Sequence, residues 1–440
     1  METNLRFPVL INTMNTKSYF RIFTLLFLFL FLDAGFSRAQ TANFAAPKQE
    51  KLLNGMNLLV WNDPNAPKVT VKLRIHSGSA FDTQNKEGTM AMLADILFPN
   101  DAAKEFFTED LVGSLEVTSN YDYIQINATA NNDQFLTLME TLANAVINPQ
   151  IDKEITAKAR AARLEKLKEL DKTPSYIADQ AVAKRLFGDF PYGRPQMGTS
   201  ASVAKIDFAD LLLAKQRFLT ADNATLAVVG NIKPDLAYRA ARRFFGAWTQ
   251  ADKRVPATFA QPSAPDTNFF LIKTEINNAS ELRFAFRGLS RGEKDFYASR
   301  ILTAVLQNRL QKKDGNKAVL EQKSYFLPGF MVVKFSDWET HSLKLAADVQ
   351  LPQNFLNYVR DLLLPNVSPE EFQLAKEKVL REFNRQNSSD LRLDADTFRL
   401  APVKNDSEMA QSATITDVQK ILERLRKEAV VKTFLYKASV

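Results

Sequence analysis

The chain has 440 residues, 45% of them hydrophobic and 24% charged, with a formal charge of +7, two histidines and no cysteine. That length and apolar content suit two or three globular domains. Glycine (14) and proline (18) are not elevated, which excludes a disordered or fibrous chain. Without cysteine there are no disulfides, so an exported form has to be held by its core alone.

Lys17 and Arg21 precede an apolar run, 22–32, that only Thr24 interrupts, and Ser37-Arg38-Ala39 follows. A positive start, an apolar core and a small-x-small site predict a secretory signal peptide over residues 1–39, with Met14 as an alternative start. The core of 11 residues is about half of the roughly 20 that span a bilayer, which argues against an anchor. Removing 1–39 takes away four bases and two acids and leaves +5. No later segment is apolar enough to span a membrane, so the expectation is an exported chain, periplasmic for want of disulfides. The densest basic stretch, 158–172, carries its charges at helical spacing and reads as a solvated helix face rather than a nucleic-acid surface.

Beyond that leader, alternation predicts strands at 51–61 and 69–77, then a helix over 88–97 stopped by Pro99-Asn100. Strands at 114–117 and 123–130 precede helices over 135–147, 151–170, 174–187 and 208–218. A buried strand at 224–230 and a helix over 234–245, with proline in its first turn, close the first half. Residues 251–268, rich in Pro, Ala and Thr, read as a linker. The second half repeats the order: strands at 269–273 and 282–286, a helix over 295–310, strands at 331–335 and 343–349, and a long helix over 369–387. Residues 388–406 read as polar and irregular, before a last helix over 415–427 and a last strand at 430–436. The fold class is α+β: two similar domains in tandem, 40–250 and 269–440, each a mainly antiparallel sheet with helices packed on one face.

The two histidines, His76 and His341, lie 265 positions apart, so no closely spaced histidine pair for zinc exists anywhere. A serine–histidine relay would need one of them as base, and both read as structural or surface residues. No Gly-x-Ser-x-Gly elbow, phosphate loop or dinucleotide fingerprint occurs. The composition points to binding rather than catalysis.

Three passages carry a family resemblance. The first is Asn54-Gly55-Met56-Asn57-Leu58 with Val71-Lys72-Leu73 and Ser77-Gly78-Ser79-Ala80-Phe81-Asp82. The second, and most specific, runs from Phe187-Gly188-Asp189-Phe190 into Pro191-Tyr192-Gly193-Arg194-Pro195-Gln196-Met197-Gly198-Thr199. The third runs from Phe218-Leu219-Thr220 through Val228-Val229-Gly230 to Phe244-Phe245-Gly246-Ala247-Trp248. Together, across about 47–250, they resemble the insulinase-like zinc peptidases, the group of pitrilysin and the mitochondrial processing peptidase. The second half fits more weakly, through Asn308-Arg309-Leu310 and Gly329-Phe330.

The family's metal helix reads Gly-x-x-His-x-x-Glu-His-x-x-Phe. Gly88, Leu93 and Phe98 keep its frame, but Ala91 stands for the first histidine, Ala94 for the catalytic glutamate and Asp95 for the second histidine. The resemblance implies a third ligand on a later helix, for which Glu165 is the candidate, so Asp95 and Glu165 are the weak metal candidates. Zinc is the family's cofactor, and none is expected here, because alanine neither binds metal nor activates water. The family's substrate-anchoring Arg and Tyr correspond to Gln311 and to Ala318 or Val319, and Lys312-Lys313 reads as a solvated turn. The resemblance implies a non-catalytic partner subunit, paired with a catalytic paralogue or with itself as a dimer. It would form the chamber wall and peptide-binding surface of an exported zinc peptidase. The alternatives are a free-standing peptide-binding scaffold and, behind it, a metallopeptidase with a non-standard site.

Overall fold

The computed structural model describes residues 46–251, 259–277, 279–314, 318–336, 353–385, 388–400 and 406–437. The expected leader, His341 and the expected strand at 343–349 lie outside these residues, as does 252–258 of the linker.

In the first half the elements run β1 (Lys48–Lys51), β2 (Asn57–Asn62), β3 (Lys68–Ile75), α1 (Thr89–Asp95), α2 (Asp101–Glu109), β4 (Ser114–Ser119) and β5 (Ile124–Asn131). Then come α3 (Phe135–Ile147), α4 (Lys153–Leu170), α5 (Pro174–Phe187), α6 (Ser200–Val203), α7 (Phe208–Phe218), β6 (Ala224–Gly230) and α8 (Pro234–Phe245). In the second half they run β7 (Phe269–Thr274), β8 (Ser280–Arg287), α9 (Phe296–Asp314), β9 (Ala318–Lys323) and β10 (Phe330–Ser336). They continue with α10 (Gln353–Leu363), α11 (Pro369–Arg385), α12 (Ser388–Phe398), α13 (Asp406–Ser412), α14 (Ile415–Lys427) and β11 (Val431–Lys437).

Apart from β1, an added outer strand in the first, both sheets have one topology. The first is ordered β1-β2-β6-β3-β5-β4 and the second β7-β11-β8-β10-β9. In each, the last strand inserts between two earlier ones, parallel to one (β6 to β2, β11 to β7) and antiparallel to the other (β6 to β3, β11 to β8). The other pairings are antiparallel, so the tandem α+β expectation holds at the level of strand order. Each sheet carries its own apolar core on its helix side. Val69, Val71, Leu73 and Ile75 of β3 point into the first, and Leu282, Phe284 and Phe286 of β8 into the second.

The opposite face of each sheet is covered by one helix from the other half. On β3 and just past its end, Lys72, Arg74 and His76 alternate with the apolar residues and read as a solvent face, yet Lys72 and Arg74 are buried. Helix α12 covers them: Lys72 pairs with Asp390 and Arg74 with Asp394, each at 2.6 Å, and Leu393 packs on Leu59 and Ala227. This corrects the reading of 388–406 as irregular. Asp390, Asp394 and Thr397 recur at helical spacing, and that polar face is the docking face. The reciprocal helix is α5, which lies on β8, β10 and β11 through Val182, Leu186 and Phe187. Its Asp179 takes Arg283 at 2.8 Å and Lys334 at 2.6 Å. Burial works against that carboxylate, but the hydrogen bonds from Lys334 and Arg283 outweigh it and hold its pKa below the ordinary value.

Candidate functional site

The matched motifs build a scaffold around α1. Asp82 is buried and spans the start of that helix: Oδ2 accepts from the Gly88 N–H and Oδ1 from the Met90 N–H, both at 2.8 Å. Burial raises its pKa to about 7, against those two hydrogen bonds. Arg194, from the Pro-Tyr-Gly-Arg-Pro run, donates to the carbonyls of Asp82 at 2.9 Å and Ala80 at 3.2 Å. Gly88 (φ 99°) and Gly198 (φ 80°) sit back to back. A Cβ on Gly88 would come within 2.8 Å of the Met197 carbonyl, and one on Gly198 within 2.3 Å of the Glu87 carbonyl. Tyr192 of the same run reaches the second half: its hydroxyl donates to Asp122 Oδ1 at 2.9 Å and accepts from the Leu327 N–H at 2.9 Å.

The scaffold holds in place a helix without the family's reactive groups. Ala91 and Ala94 are buried, and of the three replaced positions on this helix Asp95 alone has a side-chain ligand atom. Arg163 of α4, almost fully buried, faces it. Arg163 Nη2 donates to the Ala91 carbonyl at 3.0 Å and to Asp95 Oδ2. The resemblance implies a metal between the positions of Ala91 and Asp95, and here a guanidinium cation is bound by both. Burial raises the pKa of Asp95, with Arg163 pulling against it. Glu165, the proposed third ligand, is not brought to this place. Its side chain is 68% exposed and pairs with Lys168 at 3.7 Å, so the α4 position that meets α1 is Arg163. The residues present do not fit zinc: two alanines, one carboxylate already ion-paired, and a fixed positive charge. Among the described residues no group of three or more His, Cys, Asp or Glu is placed to hold a metal ion.

Sequence reasoning missed Arg163. The signal was its spacing: Thr156, Arg163 and Leu167 form the buried stripe of α4, and a lone cation on a buried stripe demands a partner.

A cavity of about 620 Å³ opens beside Arg163 between α1, α4 and β4. Phe98, Leu115, Val117 and Ile155 give it apolar walls, and Lys104, Lys158 and Lys166 stand around it. β4 is the edge strand of its sheet, so one row of its backbone groups faces away from the ladder.

His76 is held between two hydroxyls, Nδ1 at 3.0 Å from Thr397 Oγ1 and Nε2 at 2.9 Å from Thr225 Oγ1. Burial, with Arg74 adding to it, lowers its pKa to about 3. It is a neutral structural group joining β3, β6 and α12. In the second half Gln311, Lys312 and Lys313 lie in the last turn of α9, not in the solvated turn expected for the lysines. Lys313 lies 4.0 Å from the centre of the Tyr358 ring. Ala318 and Val319 open β9, the first buried and the second about half exposed.

Known proteins place this geometry. Residues 58–200 match the family described as insulinase (peptidase family M16), and residues 205–379 match the peptidase M16 inactive domain. An uncharacterized zinc protease of Bacillus subtilis is 22% identical over 266 residues, 59% of this chain and 64% of that protein. A probable mitochondrial-processing peptidase subunit beta of Schizosaccharomyces pombe is 19% identical over 278 residues, 61% of this chain and 60% of that protein. The chain thus spans less than two thirds of the length of these curated relatives. A protease from Helicobacter pylori has the same fold, with a TM-score of 0.77 at 13% identity over 89% of this chain and all of that one. With both halves of the family pattern matched in order on one fold, the chain belongs to the insulinase family, peptidase family M16.

Proposed function

We propose that this chain is a non-catalytic member of its family, an exported partner subunit that supplies wall and peptide-binding surface to a zinc peptidase. The observation that carries the reading is the guanidinium of Arg163 bound by the Ala91 carbonyl and Asp95. Neither alanine gives a metal a ligand, and Ala94 gives a water no base, so hydrolysis has no starting point here. The scaffold around α1 supports a role that needs the family's shape without its chemistry. The cavity beside edge strand β4 supports peptide binding, since an edge offers main-chain groups to an extended segment. The word "subunit" in the name of the Schizosaccharomyces relative supports an assembly, with a catalytic paralogue or with a second copy of this chain.

The test is affinity capture of the tagged full chain from its native periplasm. The expected result is a stoichiometric peptidase with an intact His-x-x-Glu-His helix, and no zinc on the purified chain alone. Peptide cleavage by the purified chain, with one zinc bound per molecule, would overturn the reading.

A further inference from the structure

The cavity at α1, α4 and β4 has a pronounced charge imbalance. Lys104, Lys158, Lys166 and Arg163 line it, against Asp95 as the single acid among the described residues, and that acid is already tied to Arg163. Lys158 and Lys166 form no ion pair among the described residues, and both are exposed. Among the described residues the ion pair of Lys104 is a surface contact with Asp101 at 3.4 Å, with both side chains largely exposed, and such pairs bind weakly. Arg163 itself is incompletely satisfied: its buried Nε has no hydrogen-bond partner among the described residues. Glu165, the nearest acid in sequence, points away to Lys168 and does not line the cavity.

The lysines sit around a concavity whose apolar walls come from β4, α4 and the end of α1. A ligand that is only anionic would leave Leu115, Val117 and Ile155 unused, and one that is only apolar would leave three ammonium groups uncompensated. An extended segment alternating carboxylates with apolar side chains meets both demands at once.

We infer that this cavity takes an acidic peptide segment, its carboxylates against Lys104, Lys158 and Lys166 and its apolar side chains against Leu115, Val117 and Ile155. The inference rests on the peptide-binding part of the proposed function and adds the substrate class. The cavity, about 620 Å³, is of the size that encloses a few side chains. Because the lysines are exposed, the attraction is screened by salt and the complex weakens as ionic strength rises.

The test uses the full chain and a fluorescein-labelled decapeptide of alternating Glu and Leu, with a Lys and Leu decapeptide as its counterpart, read by anisotropy. The expected result is saturable binding of the acidic peptide, weaker at high salt, and none of the basic one. In the double variant Lys158→Glu, Lys166→Glu the affinity should fall at least about tenfold, as expected when attraction becomes repulsion. Lys168→Glu, a change of the same sign outside the cavity, should leave it within about twofold. Equal binding of the basic peptide, or equal loss in Lys168→Glu, would overturn the inference. Displacement of the peptide by an equimolar oligothymidylate would overturn it too, by assigning the cavity to nucleic acid. If neither peptide binds while an intact peptidase still co-purifies, the inference falls and the partner reading stands. If the acidic peptide binds and no peptidase co-purifies, the inference holds and the partner reading falls.

Discussion

Arg74 Nη1 donates to Asp394 Oδ1 across 2.6 Å, joining the second half's helix α12 to the first half's strand β3. The arginine is 2% exposed and also donates to Gln125 Oε1 at 2.6 Å, so its charge is almost wholly removed from water. A buried pair of this kind adds little over a well-packed apolar substitute, but losing one partner leaves a charge stranded. Asp394→Ala should therefore destabilise the fold by about 3 kcal/mol, and Arg74→Met with Asp394→Leu should recover most of that loss. Urea unfolding of the three proteins decides it. An Asp394→Ala variant with an unchanged midpoint would show that α12 is held by Leu393 and its apolar neighbours instead.

Two buried groups give stability opposite dependences on pH. His76 is lowered from 6.5 to about 3, chiefly by burial, so between those values the unfolded chain takes up a proton that the native one refuses. Stability falls there on acidification. Asp122, accepting from Tyr192 and from the Phe326 N–H, is raised from 3.8 to about 6, again chiefly by burial. The native chain then holds the proton more tightly, and stability falls as pH rises through that window. Going from about pH 6.5 to about pH 4.5, His76→Gln should lose less stability than the wild type and Asp122→Asn should lose more. Denaturation midpoints at the two pH values are the measurement. Parallel losses in all three proteins would contradict both assignments.

The fold was legible wherever a segment had one apolar and one polar face. β3, β5, α3, α8 and α14 fall within a few residues of where alternation and helical spacing put them, because their packing surface is the apolar one. Helix α12 was not legible, since it packs by charge. Asp390 and Asp394 look like solvated acids until Lys72 and Arg74 are seen beneath them, and those in turn look like a solvent face. Distant partners of this kind leave no local pattern. The degenerate centre divides in the same way. Ala91, Ala94 and Asp95 could be read from the spacing of Gly88 and Phe98. Arg163 could not be paired with Asp95 without knowing the rotation of α4, and Glu165, two residues on, lies on the outer side.

Gly88 and Gly198 make a strong claim about backbone. Both have φ in the left-handed region, and a methyl group on either would run into a carbonyl oxygen of the opposing turn. Gly198→Ala, with the closer approach of 2.3 Å, should cost about 2–3 kcal/mol, and Gly88→Ala somewhat less. By contrast Gly188, also at positive φ (61°), has open space where its Cβ would go, so Gly188→Ala should cost about 1–2 kcal/mol from backbone strain alone. Thermal melts that rank the three in another order would mean that the two turns separate more easily than their packing implies.

Arg163 occupies the place where a returning metal would have to sit. If the scaffold has kept its shape, restoring the family's helix should not by itself restore metal binding. In Ala91→His, Ala94→Glu, Asp95→His, the guanidinium of Arg163 still reaches the Ala91 carbonyl from α4 and has lost its carboxylate partner, so a dication would sit against an uncompensated charge. Adding Arg163→Glu removes that repulsion and puts a carboxylate on the one buried α4 position that meets both places on α1. The triple variant should therefore bind substoichiometric zinc and fold poorly, and the quadruple variant should bind close to one zinc per chain with a raised melting temperature. Metal analysis after gel filtration, with and without a chelator, distinguishes them. Full zinc occupancy in the triple variant would mean that Arg163 swings aside at little cost, and its place between Ala91 and Asp95 would then say little about why the metal was lost.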